Sequence, residues 1–191
     1  QLNLGRAFSF VYGEKENGAF FSHMNVMFAY ALYTRGFIRE GYVVMDSIYN
    51  MAQDTLKSKI YPCLPEYFNA EGQGMYSYLT GSASWFVLTM LTRVFGIRGE
   101  YGDLLIEPKL TSGQFRNSHA ISISCSFTGK ILEVRFINPH KKDYGRYSIT
   151  KVCLNGKILA QDINQDRYFI SRRKFLAFAN KTRNTIEVIL D

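Results

Sequence analysis

The chain has 191 residues, 47% hydrophobic and 15% aromatic, and its three cysteines and three histidines form no CxxC or Cys/His pairing; this excludes a disordered chain, a disulfide scaffold and a zinc module. The net charge of +7 invites a nucleic-acid reading, but residues 1–100 carry 8 basic and 8 acidic side chains and residues 101–191 carry 15 and 8. That excess lies in Lys141-Lys142, Arg172-Arg173-Lys174 and single positions without the glycine-aromatic pattern of an RNA-binding sheet, so it reads as a solvated or partner-facing surface and not a nucleic-acid site.

Residues 19–35 repeat Met24, Met27, Phe28, Ala31 and Leu32 at helical spacing and end at Gly36. Residues 38–52 place Tyr42, Met45, Ile48 and Tyr49 on one face, which predicts a helical hairpin turning at Gly36. Residues 60–75 hold Pro62, Pro65, Gly72 and Gly74 and read as a long loop. A third helix, residues 82–95, carries Trp85 toward a core and stops at Gly96. Beyond Gly99 the period falls from about 3.6 to 2. "AISISCSF" and "ILEVRFI" form a hairpin, Asn155-Gly156 turns a second one, and "RYFIS", "KFLAFA" and "NTIEVILD" supply further strands. Many short strands divided by turns predict an antiparallel β-sandwich over residues 100–191, after a helical domain over residues 1–99.

No apolar run approaches the roughly 18 to 20 residues of a membrane helix. Gln1-Leu2-Asn3 does not open a basic, then apolar, leader. With scattered thiols, these features lead us to expect a reducing cytoplasm and no membrane partner. The richly aromatic helices call for partners to cover them, so a larger protein of which this is the C-terminal part is expected.

Two stretches can carry chemistry. "YGEKENGAFFSHMN" sets Glu14, Lys15, Glu16 and Asn17 in a glycine-punctuated loop and His23 at the start of a helix, a grouping suited to a polyhydroxylated ligand; a core histidine and a solvated Lys-Glu pair fit it as well. Thr80-Gly81-Ser82 opens the third helix, where a hydroxyl and bare amides suit either an anion or an ordinary N-cap. His119 and His140 fall at strand edges. There is no Ser/His/Asp order, no GxxxxGK and no metal-ligand spacing, so neither metal nor cofactor is expected.

In order, "EKENGAFFSHMN", the helical hairpin, the Pro-bearing loop and "YLTGSASWFVLTMLTRVFGIRGEYGDLLIEPKL" resemble the C-terminal part of glycoside hydrolase family 94, the inverting phosphorylases of cellobiose, cellodextrin, chitobiose and β-1,2-oligoglucans. The likeness covers about residues 10–110. It implies the last helices of an (α/α)6 barrel followed by a β-sandwich. It implies phosphate held by His23, Thr80 and Gly81, sugar contacts from Lys15 and Glu16, and an aspartic general acid and a phosphate-binding arginine upstream of this segment. The partners implied are a β-glucan oligosaccharide, inorganic phosphate as co-substrate, the rest of the enzyme and a homodimer mate. No catalytic residue is expected within the chain, which would be inactive alone. "FSHMN" with "YGDLLIEPKL" leans toward β-1,2-oligoglucan substrates. A trimming module of a cyclic β-1,2-glucan synthase and a noncatalytic carbohydrate-binding or interaction module are the alternatives.

Overall fold

The structure, a computed structural model, describes residues 9–61, 63–78 and 80–191. The leader reading at Gln1-Leu2-Asn3, Pro62 of the loop and Leu79 of the "YLTGSASW" motif lie outside the described residues. The chain divides into two units, Gln1–Thr89 and Met90–Asp191.

In the first unit, strand β1 (Phe20–Phe21) runs directly into helix α1 (Ser22–Arg35), which ends at Gly36 with φ 87°. That left-handed turn suits glycine and closes the helix, with the Phe37 amide donating to the Leu32 carbonyl at 2.9 Å. Helix α2 (Ile38–Gln53) folds back on α1. The approach is close at Gly41, where an added Cβ would stand 2.7 Å from the ring of the fully buried Tyr33.

The buried face of α1 is not the expected one. Ser22, Val26, Ala29 and Tyr33 are buried, whereas Met24, Met27 and Phe28 are 61%, 44% and 56% exposed. Both sets have helical spacing, and the inward one combines Tyr33, whose ring lies against Gly41 of α2, with Ser22, Val26 and Ala29, small enough to let a neighbouring helix approach. That neighbour is helix α4 (Gly81–Thr89), which packs against α1 and buries Ser82 and Thr89 while Val87 and Leu88 face outward. Trp85 is only half-buried. On α2 the expected Met45 and Ile48 are buried and Tyr49 is exposed.

Residues 60–75 are not a bare loop. After a short helix α3 (Thr55–Ser58), they contain strands β2 (Tyr67–Phe68) and β3 (Gly74–Met75), which with β1 form an antiparallel sheet in the order β1-β2-β3. Two-residue strands give too short an alternation to register as a period. The unit is therefore mixed, and among the described residues its helices form no barrel. The (α/α)6 expectation is overturned: α1, α2 and α4 are 14, 16 and 9 residues long and share their unit with a sheet.

The second unit opens with a π-helical turn (Met90–Val94) that gives way at Gly96. Strands β4 (Ile97–Glu100) and β5 (Asp103–Ile106) pair as a hairpin. Next come helix α5 (Ser112–Phe115), strands β6 (Ala120–Phe127), β7 (Lys130–Ile137), β8 (Ile149–Leu154), β9 (Lys157–Gln165) and β10 (Tyr168–Ile170), helix α6 (Arg172–Phe178) and strand β11 (Arg183–Leu190). The hairpins at Thr128-Gly129 and Asn155-Gly156 form as expected, with Asn155 at φ 50° and Gly156 at φ 78°.

Two expectations fail here. "KFLAFA" is helical: Ser171 accepts from the Lys174 amide at 3.2 Å and caps α6, which buries Phe175. Nor is the unit an antiparallel sandwich. It has a three-stranded sheet, β10-β5-β4, and a five-stranded sheet, β6-β7-β11-β8-β9, in which β11 lies parallel to β7 from Arg183↔Ile131 to Ile189↔Ile137. Alternation carries no direction. The chain returns to β7 only after β8, β9, β10 and α6, and a return of that length allows a parallel strand to insert between earlier neighbours.

The core of this sheet is Leu132, Val134, Phe136, Ile149, Val152, Leu154, Ile186, Val188 and Leu190. Among the described residues no helix is long and apolar enough to cross a membrane, and Cys63, Cys125 and Cys153 are unpaired.

Candidate functional site

His23 is the second residue of α1 and Gly81 the first of α4. A Cβ at Gly81 would stand 2.6 Å from His23 Cε1 and 2.8 Å from Nε2. Glycine is needed here for space, since the imidazole occupies the place of a side chain. Two helix N-termini thus meet at this point, and neither has an acidic residue in its first turn. The positive poles of both helices are left without a carboxylate. His23 Nε2 is buried and has no hydrogen-bond partner among the described residues. Trp85 flanks the imidazole with ring centroids 6.5 Å apart, and Tyr30 meets Trp85 edge-on at 5.5 Å.

Thr80 stands immediately before α4. Its Oγ1 accepts from the Ser82 amide at 3.2 Å, a capping bond, and lies 2.6 Å from Ser82 Oγ. Ser82 Oγ donates to the Pro65 carbonyl at 2.8 Å. Ser82 has one hydroxyl proton, so Thr80 is the donor between the two hydroxyls. The cap and the anion-site readings of Thr80 are therefore compatible: its oxygen caps the helix while its proton can turn to an incoming acceptor.

Lys15 lies on the turn 12–18 at φ 44°. Its ammonium is 3.5 Å from Glu66 Oε2 and 3.9 Å over the Tyr76 ring, and Tyr76 is itself at φ 55°. Two residues other than glycine in the left-handed region meet here, a concentration of backbone strain typical of ligand-holding segments. Glu16, the next residue, is exposed. Glu14 accepts from the Tyr67 hydroxyl at 2.7 Å. Burial, and then that bond, raise the Tyr67 phenol well above the usual tyrosine range.

Sequence reasoning missed Glu66. Its carboxylate takes Lys15, its carbonyl accepts from the His23 amide at 3.4 Å, and its amide donates to the Met75 and Tyr76 carbonyls at 3.1 and 3.0 Å. With the Pro65 carbonyl holding Ser82, the Pro65-Glu66 segment ties the Lys15 turn to both helix starts. The available signal was a lone carboxylate, "LPEY", inside a Pro-bearing stretch. Of the expected residues, then, His23, Thr80 and Gly81 are gathered together and Lys15 is joined to them through Glu66. His119 and His140 are exposed in the second unit. No group of three or more His, Cys, Asp or Glu among the described residues could hold a metal ion.

Chemically, the meeting point of the two helices offers an imidazole, a hydroxyl and the Gly81 amide to an oxyanion, with no acidic residue in either first turn. Compared with known proteins, the chain matches no family model and no curated sequence.

Proposed function

We propose that the first unit forms one wall of the phosphate site of an inverting β-glucan oligosaccharide phosphorylase, akin to glycoside hydrolase family 94 and acting on β-1,2-oligoglucans. One observation carries it: the first turns of α1 and α4 converge at His23 and Gly81 with no carboxylate in either. The likeness rests on motifs and their spacing, not on the fold.

In this mechanism a phosphate oxygen attacks the anomeric carbon, the bond to the glycosidic oxygen breaks, and a carboxylic acid delivers its proton to the departing sugar. The β-glucoside yields α-glucose 1-phosphate and a shortened chain. Phosphate is already ionised, so it needs positioning more than activation. His23, the Thr80 hydroxyl and the Gly81 amide supply donors aimed at the nucleophile. Lys15, braced by Glu66 and Tyr76, and Glu16 contact the leaving sugar. Glu14 and Glu66 are already committed to Tyr67 and Lys15, so the general acid comes from outside these residues, together with an arginine for the phosphate. A cytoplasmic setting, where phosphate is plentiful and three unpaired thiols stay reduced, fits this chemistry.

Titration of inorganic phosphate into the 15N-labelled chain tests the site. Saturable shifts at the His23 ring and the Gly81 amide are expected, and their absence refutes it. The second test is phosphate-dependent release of α-glucose 1-phosphate from β-1,2-gluco-oligosaccharides by a protein containing these residues and a general acid. The 191 residues alone should release none.

A further inference from the structure

The second unit has a cavity of its own, about 600 Å3, lined by Glu107, Tyr144, Asn164, Gln165, Asp166 and Arg167. That is within the roughly 300 to 1,000 Å3 of small-molecule sites. The sheet builds it. The β10·β5 pairing sets Tyr168 opposite Ile106, so the end of β9 (Asn164 and Gln165) and the two residues after it lead into β10 where Glu107 leaves β5.

Tyr144 forms the other wall and is firmly held. Its amide donates to the Leu110 carbonyl at 2.9 Å, and its ring packs edge-on against Tyr147 at 6.3 Å. The Tyr147 hydroxyl in turn bonds the Pro108 carbonyl and the Leu110 amide. Opposite, Asn164, Gln165 and Asp166 are exposed, and their side chains make no hydrogen bond or ion pair among the described residues. Asp162 and Asn164 both sit in the left-handed region, at φ 56° and 47°, within a β9 whose pairing to β8 shifts register.

The charges select the ligand class. Glu107 is neutralised by Arg98 at 2.7 Å, which leaves a single unpaired carboxylate, too few for a divalent cation. An anion would be drawn by Arg167 and repelled by Asp166 beside it, so with Glu107 paired the lining carries no net positive charge. The sense of that field is visible at Tyr144, whose phenol is raised by burial first, then by Asp166 and Glu107. An apolar ligand finds a polar lining. What fits is a neutral molecule rich in hydroxyls: a tyrosine ring for its C–H face, with planar amides, a carboxylate and a guanidinium for paired hydroxyls.

We infer that this cleft is an oligosaccharide-binding site, built from the second unit alone. It goes beyond the phosphate site and does not depend on it.

The experiment titrates short linear β-1,2- and β-1,4-linked gluco-oligosaccharides into the complete 15N-labelled chain. Saturable shifts at Glu107, Tyr144 and residues 164–167 are expected with at least one of them. Asp166→Ala and Gln165→Ala should each weaken that binding about tenfold, the size expected for a lost hydrogen bond to a well-placed partner, with an unchanged thermal melt because both side chains are exposed and neither residue is in the left-handed region. No saccharide-dependent shift at the cleft, an undiminished response in both variants, or a response there to calcium chloride or inorganic phosphate instead overturns the inference. The two readings fail separately, since phosphate reports at His23 and Gly81 and the saccharide reports at the cleft.

Discussion

His23 fills the space that any side chain at Gly81 would need, its Cε1 2.6 Å from where a Cβ would stand. Gly81→Ala gains helix propensity of about 1 kcal/mol but forces the imidazole aside, an overpacking that costs about 1 to 3 kcal/mol. The expected outcome is a net loss of about 1 kcal/mol in urea unfolding, together with phosphate affinity about tenfold weaker because the displaced ring no longer faces the ligand. Unchanged phosphate binding in a folded Gly81→Ala chain would remove His23 from the site.

Thr80 carries two duties that substitution can separate from bulk effects. Thr80→Ala loses the capping bond to the Ser82 amide, about 1 kcal/mol of stability. It also loses a donor to an ionised ligand, about 1.5 to 3 kcal/mol, or tenfold to more than a hundredfold in phosphate affinity. Thr80→Ser keeps both. Calorimetric phosphate titration of the two variants decides it: equal affinities would leave Thr80 as a cap alone.

At Gly96 the constraint is backbone against backbone. The residue has φ 67°, and a Cβ there would fall 1.8 Å from the Glu107 carbonyl oxygen, next to the Glu107 amide bond to the Gly96 carbonyl at 2.9 Å. No rotamer relieves this contact, so Gly96→Ala should destabilise the second unit by more than about 4 kcal/mol. Circular dichroism melts of the variant should show the β-sheet transition lost or shifted far down, and a wild-type melt would contradict the geometry.

Alkaline pH should weaken the fold. Burial raises the Tyr33 and Tyr67 phenols above the ordinary value of 10.0. The unfolded chain therefore releases these protons at about pH 10 while the folded chain keeps them. Stability is level below that pH and falls above it, by up to about 1.4 kcal/mol per pH unit for each phenol. Urea unfolding across this range should show the decline. Tyr67→Phe should flatten part of it, after losing about 1 kcal/mol at neutral pH with the Glu14 bond.

How much of this was visible in the sequence depended on the range of each signal. The turns at Gly36 and Asn155-Gly156, and the strands on either side of Gly129, are local and were readable. The inward face of α1 was not, because Met24, Met27 and Phe28 share the helical spacing of Val26, Ala29 and Tyr33, and only the approach of α4 and α2 selects between them. The direction of β11 and the sheet joining Phe20 to Phe68 are long-range pairings without a local mark. "KFLAFA" satisfies both periods over so short a run, and the Ser171 cap decides for the helix. In the site, the local pattern of His23, Thr80 and Gly81 fitted a core histidine and an ordinary N-cap, and only the family resemblance pointed to them together; it could not show that Gly81 is small for the sake of the imidazole. Nor could it reveal Glu66, which acts through its backbone as much as through its carboxylate.

The hydroxyls before α4 have a direction. Thr80 hands its proton to Ser82, and Ser82 hands its own to the Pro65 carbonyl, so both protons are occupied when nothing is bound. An arriving acceptor turns one hydroxyl, a rotation of picoseconds to nanoseconds, and the backbone stays where it was. A ligand bringing only donors instead meets a Thr80 oxygen already engaged by the Ser82 amide. Preference for acceptor-rich groups is thus set by the polarity of a short proton chain, before any net charge is counted.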